Sequence, residues 1–162
     1  MATVLKTVNP VRGSRVRIPP SPPFTFNAMT FAQITAAKVV SGSARGRRIG
    51  TPTINIDPAQ APKELRHGIY ACRISIAGKR YMGAMHYGLR PVFKDTETLE
   101  VHVLDATIER APETVNIEIV GKIRNVKDFP GPEQLKEAIG QDIEAVRAML
   151  RSHEEISPKH HP

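Results

Sequence analysis

Between Gly42 and Gly50 the chain places three glycines and three arginines, Arg45, Arg47 and Arg48, within nine residues. Closely spaced glycines let backbone N–H groups turn toward an anion, and guanidinium groups add positive charge at the same place. No helical pattern follows, so this is neither a Walker loop nor a dinucleotide fingerprint. Taken alone, the segment reads equally as an exposed hairpin loop and as a phosphate site. The adjoining Pro52-Thr53-Ile54-Asn55 adds a hydroxyl and an amide oxygen on an extended segment. Residues i and i+2 of a strand face the same side, so the two oxygens can hold a hard cation together. Two neutral ligands bind magnesium weakly, and phosphates and waters must complete the shell.

A third candidate is a carboxylate. Glu100 and His102 alternate with Leu99, Val101 and Val103, a period of two that puts both polar side chains on one face of a strand. Such a Glu is ordinarily just the solvated side of its strand, and His102 reads as structural or peripheral.

The elements that must position these residues are mostly short strands. Lys38–Val40 runs into the glycine-rich loop, and Thr53–Ile56 follows Pro52. Gly68 to Ala77 is rich in β-branched and aromatic residues, and Ala77-Gly78 reads as a hairpin turn into Lys79–Tyr87. Leu99–Leu104 and Thr114–Ile123 alternate clearly. Six strands with no helix between them predict an antiparallel sheet closed into a barrel. One helix follows, because Leu135, Ile139, Ile143, Val146 and Leu150 recur at helical spacing behind Pro132 and Glu133. A lone amphipathic helix after a barrel must bury its stripe against that barrel.

Composition narrows the class. The chain has 162 residues, enough for one domain, and no apolar run long enough to span a membrane. Its single cysteine, Cys72, excludes an intramolecular disulfide and a cysteine-based zinc site, and reads as core. A soluble, cytoplasmic monomer is expected. The net charge of +7 is uneven: residues 1–28 hold four of the 23 basic residues, none of the 16 acidic ones and five of the fourteen prolines. That leaves the body only mildly basic and poor in aromatics, so no nucleic-acid partner is expected. Three regions result: a basic, Pro-rich leader over 1–28, a barrel with its helix over 29–151, and a flexible tail over 152–162. Two readings of the leader stand side by side. It is a disordered basic tail, or it is the translation of DNA upstream of a true start at Met29, since Arg15-Val16-Arg17-Ile18-Pro19 matches one frame of a tRNA T-arm.

With these residues in view, the sequence resembles the riboflavin kinase (flavokinase) family. Gly42–Asn55 is similar to that family's G-x-P-T-A-N loop, with Ile54 in place of the alanine. The resemblance continues through His67–Ala71, Tyr87–Pro91, Leu99–Asp105, Ile119–Arg124, Lys127-Asp128-Phe129 and the helix containing Gln141-Asp142, in the family's order. It departs at Met85–Gly88, which replaces the family's usual Asn-Ile-Gly, and at Ala106–Thr114, where the family's Phe after Leu-Asp and the Leu-Tyr pair beyond it are missing. The resemblance implies a mainly β fold, a six-stranded antiparallel Greek-key barrel with a C-terminal helix. It implies transfer of the γ-phosphate of ATP to the riboflavin 5′-hydroxyl, giving FMN and ADP, with Mg2+ or another divalent cation. By match to the motifs, Gly42 and Arg47 would line the ATP phosphates, and Thr53 and Asn55 would hold the metal. Glu100 would be the catalytic carboxylate. Val103 and Asp105, just beyond it on the same strand, would contact the nucleotide. Arg124, Lys127 and Phe129 would hold the flavin. Many bacterial members are fused to an adenylyltransferase; the length leaves no room for one, so FAD synthesis is not expected. The alternative is a catalytically inactive barrel that binds flavin or nucleotide, against which Thr53, Asn55 and Glu100 speak jointly.

Overall fold

The computed structural model describes residues 30–42, 52–89 and 96–156. The leader 1–28, Arg47 and the end of the tail from 157 onward lie outside the described residues. Six strands run in chain order: β1 (Ala32–Val40), β2 (Thr53–Ile56), β3 (Gly68–Ile76), β4 (Lys79–Leu89), β5 (Glu97–Val103) and β6 (Thr114–Arg124). A short 3-10 turn at Pro58–Gln60 follows β2, and the single described α-helix, α1 (Pro132–Ile156), follows β6. All strand pairs are antiparallel, and the sheet closes in the order β1-β2-β5-β4-β3-β6. Strands β3, β4 and β5 form a meander, and β2 lies beside β5 across the top of it, which is a Greek key.

The β3–β4 hairpin turns on Ala77 and Gly78, whose φ angles of 47° and 79° are both positive. That is the two-residue geometry matching the twist of paired strands, and glycine adopts it without strain. β1 begins at Ala32, six residues before the alternation in the sequence becomes visible. A bulge between Ile34 and Ala37 breaks its period. Ala36 there has a φ of 50°, and its N–H bonds Asn116 Oδ1 at 2.8 Å instead of a ladder partner.

Alternation sorts the side chains into two layers. Ile54, Ile56, Tyr70, Cys72, Ile74, Met85, Leu99, Val101, Ile117 and Ile119 fill the barrel interior. Burial pushes the Cys72 thiol up to about 12, and it donates to the Gly83 carbonyl, so it behaves as core. Outside the barrel, Ala71 and Leu104 meet Val146 and Leu150 of α1. Among the described residues the helix packs chiefly on β3, β4 and β6, leaving the outer face of β2 and β5 largely uncovered. It runs to Ile156, past the boundary at 151 expected from the sequence. Its deepest line is Ala138, Asp142, Val146 and Leu150, with a carboxylate in the middle. Arg73 locks the far end of α1: it is 7% exposed and donates to the Leu150 carbonyl and to His153 Nδ1, beside Glu118 and Glu154.

Leu150 is fully buried where helix meets barrel. Leu150→Ala should destabilise the chain by about 2–5 kcal/mol. In urea the midpoint should fall with an unchanged m-value, since the same surface unfolds.

Candidate active site

The pairing of β2 with β5 creates the first cluster. Thr53 lies opposite His102, and Asn55 opposite Glu100. Ile54 and Val101 point inward, so by the strand period Thr53, Asn55, Glu100 and His102 all face outward. Thr53 Oγ1 donates to Glu100 Oε2 at 3.1 Å. His102 Nδ1 stands 2.9 Å from the Pro52 carbonyl, which can only accept, so the ring donates there and pins the entry to β2. His102 is thus a support for Thr53.

Gly42 lies just beyond β1, against the same corner. A Cβ built on it would come within 2.0 Å of the Asn55 amide nitrogen. Glycine here lets the Asn55 side chain occupy that space. Around this corner opens a cavity of about 240 Å³, walled by Val40, Gly42, Thr53, Asn55 and Val103. Ala106, Ile108, Glu109 and Ala111 supply the opposite wall, so the segment that departs from the family pattern is itself part of the cavity lining.

β5 ends at Val103. Asp105 is therefore in the turn beyond the strand, not on it, with a left-handed φ of 57° that Asp tolerates better than most residues. It is exposed and does not line the cavity. Both its oxygens accept from Arg147 of α1, at 2.5 and 2.7 Å. These bonds hold the Asp105 carboxyl below its ordinary range and raise Arg147.

A second cluster forms where β6 ends. Arg124 donates through Nε and Nη2 to the two oxygens of Asp142, both at 2.7 Å, and through Nη1 to the Asn125 carbonyl. Its guanidinium carbon stands 5.6 Å from the centre of the Phe129 ring, and Lys127 Nζ stands 5.0 Å from the same centre. Two cations and an aromatic face thus share one place, suited to a flat conjugated ring and an anion.

Register joins the two clusters. Asn55 pairs with Glu100, Glu100 with His86, His86 with Ile69, and Ile69 with Arg124. These residues form one row across the outer face. From Glu100 to Arg124 is three strand spacings, about 14 Å along the sheet. Of the residues singled out in the sequence, Gly42, Thr53, Asn55, Glu100 and Val103 come together at one end of this row. Arg124, Lys127 and Phe129 come together at the other, and Asp105 stands apart on the helix side. Sequence reasoning missed Asp142 and Arg147 as the holders of Arg124 and Asp105, and it missed His86 altogether. Asp142 and Arg147 meet partners 18 and 42 residues away only through the docking of α1 on the barrel, and His86 enters the row only through strand register.

Fold and geometry define a class: a Greek-key barrel with hard oxygen donors and a carboxylate on its uncovered outer face, braced by one C-terminal helix. The family model described as riboflavin kinase (flavokinase) matches residues 30–150. The bifunctional riboflavin kinase/FMN adenylyltransferase of Buchnera aphidicola subsp. Schizaphis graminum is 33% identical over 116 residues, covering 69% of this chain and 37% of that protein. The RNA-binding riboflavin kinase RibR of Bacillus subtilis is 31% identical over 115 residues, covering 70% of this chain and 49% of that one. The crystal structure of riboflavin kinase from Trypanosoma brucei superposes with a TM-score of 0.52 at 25% identity, covering 75% of this chain and 82% of that one. This chain belongs to the riboflavin kinase family. It spans less than half the length of either of these two relatives.

Proposed function

We propose that this chain transfers the γ-phosphate of ATP to the 5′-hydroxyl of riboflavin, giving FMN and ADP. The observation that carries the reading is the hydrogen bond from Thr53 to Glu100, which ties a hard oxygen donor to a carboxylate that also lies opposite Asn55, in a member of this family. Glu100 takes the proton of the 5′-hydroxyl as the new P–O bond forms. The cavity beside Val103 receives the nucleotide, with Gly42 at its phosphates and Asp105 adjoining through Ala106; Arg47 is assigned to the same phosphates by its charge and motif alone. Arg124, Lys127 and Phe129 hold the flavin, whose ring and ribityl chain together reach along the row toward Glu100.

The residues fit a divalent cation. Thr53 and Asn55 offer a hydroxyl and an amide oxygen on one face, hard donors that suit magnesium, and leave the neighbouring Glu100 carboxylate to take the proton. Gly42 leaves room for the Asn55 amide at the edge of the cavity. Among the described residues no group of three His, Cys, Asp or Glu side chains could hold a metal by itself. The phosphates of the donor therefore complete the shell. When bound, the cation supplies neutralisation of charge on the phosphate oxygens, on which phosphoryl transfer chiefly depends. The RNA binding named for the Bacillus relative is not carried over, because outside residues 1–28 this chain has a net charge of only +3.

The test is FMN formation from riboflavin, ATP and magnesium, with Asn55→Ala alongside. The parent protein should make FMN, and the variant should be slower by about 10²-fold or more, as for loss of one preorganised polar group. No product from a parent that still binds riboflavin would overturn transfer and leave a flavin-binding barrel.

A further inference from the structure

His86 stands in the middle of the row that links the two clusters, opposite Glu100 on one side and opposite Ile69, the neighbour of Arg124, on the other. Its flanking residues Met85 and Tyr87 point into the core, so the imidazole faces outward with Glu100. The ring leans along β4 over Gly88: Cε1 and Nε2 each stand 3.6 Å from where a Cβ on that glycine would sit, and Val126 covers the same spot. The imidazole is therefore half-buried between a strand and the segment after β6. Among the described residues neither ring nitrogen has a hydrogen-bond partner. The charged and titratable groups facing it are Glu100 on β5, Arg124 at the end of β6 and His67 just before β3; Ile69 and Val126 are apolar.

A half-buried imidazole whose nitrogens reach solvent, lying between a carboxylate and a flavin clamp, is free to bond a polar partner that arrives from outside. We propose that His86 is a substrate-positioning residue that hydrogen-bonds a hydroxyl of the ribityl chain between Glu100 and the Arg124–Phe129 clamp. The proposal rests on the kinase reading above. A polyol running from the ring toward Glu100 has several rotatable bonds, and one fixed contact to it at His86, one strand from Glu100, would bring the 5′-hydroxyl onto Glu100 and remove many unproductive conformers. Neutral imidazole suits the task, since it offers one donor and one acceptor to a hydroxyl that is also both. Burial lowers the His86 pKa, Arg124 and His67 push it the same way, and Glu100 opposes them. The ring is thus neutral at pH 7.

The experiment is steady-state kinetics with riboflavin for the parent, His86→Ala and His86→Asn. It is accompanied by binding of lumiflavin, which has the same ring system with a methyl group in place of the polyol, read by fluorescence quenching. His86→Ala should raise the riboflavin KM about tenfold, the worth of one hydrogen bond, with kcat changed far less and lumiflavin affinity unchanged. His86→Asn, which keeps a donor and an acceptor, should recover most of the loss. In the parent, the riboflavin KM should climb as pH falls below the ordinary histidine range and His86 gains a proton, whereas in His86→Asn it should stay flat. An unchanged riboflavin KM in a variant that still makes FMN overturns the role of His86 and leaves the kinase reading standing. Parallel weakening of riboflavin and lumiflavin overturns it too, because the defect would then lie in the ring pocket. A parent that makes no FMN overturns both.

Discussion

Glu100→Gln should lower kcat for FMN formation by about 10²–10⁴-fold, the usual contribution of a positioned general base, while riboflavin binds with nearly parental affinity. The substitution isolates the proton. Glutamine keeps the length of the side chain and an oxygen able to accept from Thr53 Oγ1, so the 3.1 Å link between β2 and β5 survives. Glu100 faces outward opposite Asn55 and His86, and its neighbours Leu99 and Val101 carry the core contacts, so the barrel should be indifferent to the change. What glutamine cannot do is take up the hydroxyl proton as the nucleophile attacks. Kinetics on both substrates, with riboflavin binding measured separately by fluorescence quenching, checks this. A loss of binding as large as the loss of turnover would show that Glu100 shapes the pocket and does not act as a base. An unchanged kcat would remove Glu100 from the chemistry.

How much of this was legible in the sequence depends on whether a feature is local. The alternation of Leu99, Val101 and Val103 with Glu100 and His102 gives β5 and the face its polar residues occupy, because the strand period needs no knowledge of neighbours. Ala77-Gly78 gives the hairpin for the same reason. The first half of β1 is not legible, since the bulge at Ile34–Ala37 shifts the pattern within the strand. The helix is plain, and its apolar stripe meets the line of deepest burial at Val146 and Leu150, yet Leu135, Ile139 and Ile143 lie beside that line, which passes through Ala138 and Asp142. Ala138 is too small and Asp142 too polar to mark a core face. Asp142 is buried only because Arg124 arrives from β6 to meet it with two hydrogen bonds. That pairing depends on how the helix docks, which periodicity along one element does not encode.

The same distinction runs through the candidate site. Thr53 and Asn55 are readable as a pair because they are two residues apart on one strand, whereas their meeting with Glu100 needs the β2–β5 register. Arg124, Lys127 and Phe129 are neighbours in the chain and converge as expected, but the guanidinium is already gripped by Asp142 and Asn125. Its proposed contribution to a flavin would therefore come from a fixed position and a fixed charge, with few donors to spare. Asp105 shows the reverse case. Its place after the strand is local, but Arg147 draws its carboxylate toward the helix, a pull invisible from the sequence of β5.

Gly42→Ala should reduce turnover by about 10²-fold, as expected when a catalytic group is displaced by an ångström or so, with little change in stability. The added Cβ would sit 2.0 Å from the Asn55 amide nitrogen and 2.6 Å from its oxygen, far inside contact distance. Something must move, and the freely rotating Asn55 side chain yields more easily than the backbone of β1 or β2. Gly42 is exposed and Asn55 half-buried, so the displacement costs little folding energy. Function is another matter, because the moved amide is the oxygen proposed to share a cation with Thr53. Activity measured over a magnesium titration should therefore show Gly42→Ala needing more magnesium than the parent, as Asn55→Ala does. The double variant Gly42→Ala/Asn55→Ala decides between mechanisms, since two changes acting through one group are not additive. If Gly42 matters because it makes room for Asn55, the double variant is no worse than Asn55→Ala alone. If the two losses multiply, Gly42 acts separately from Asn55, as a glycine whose backbone must approach the phosphates would.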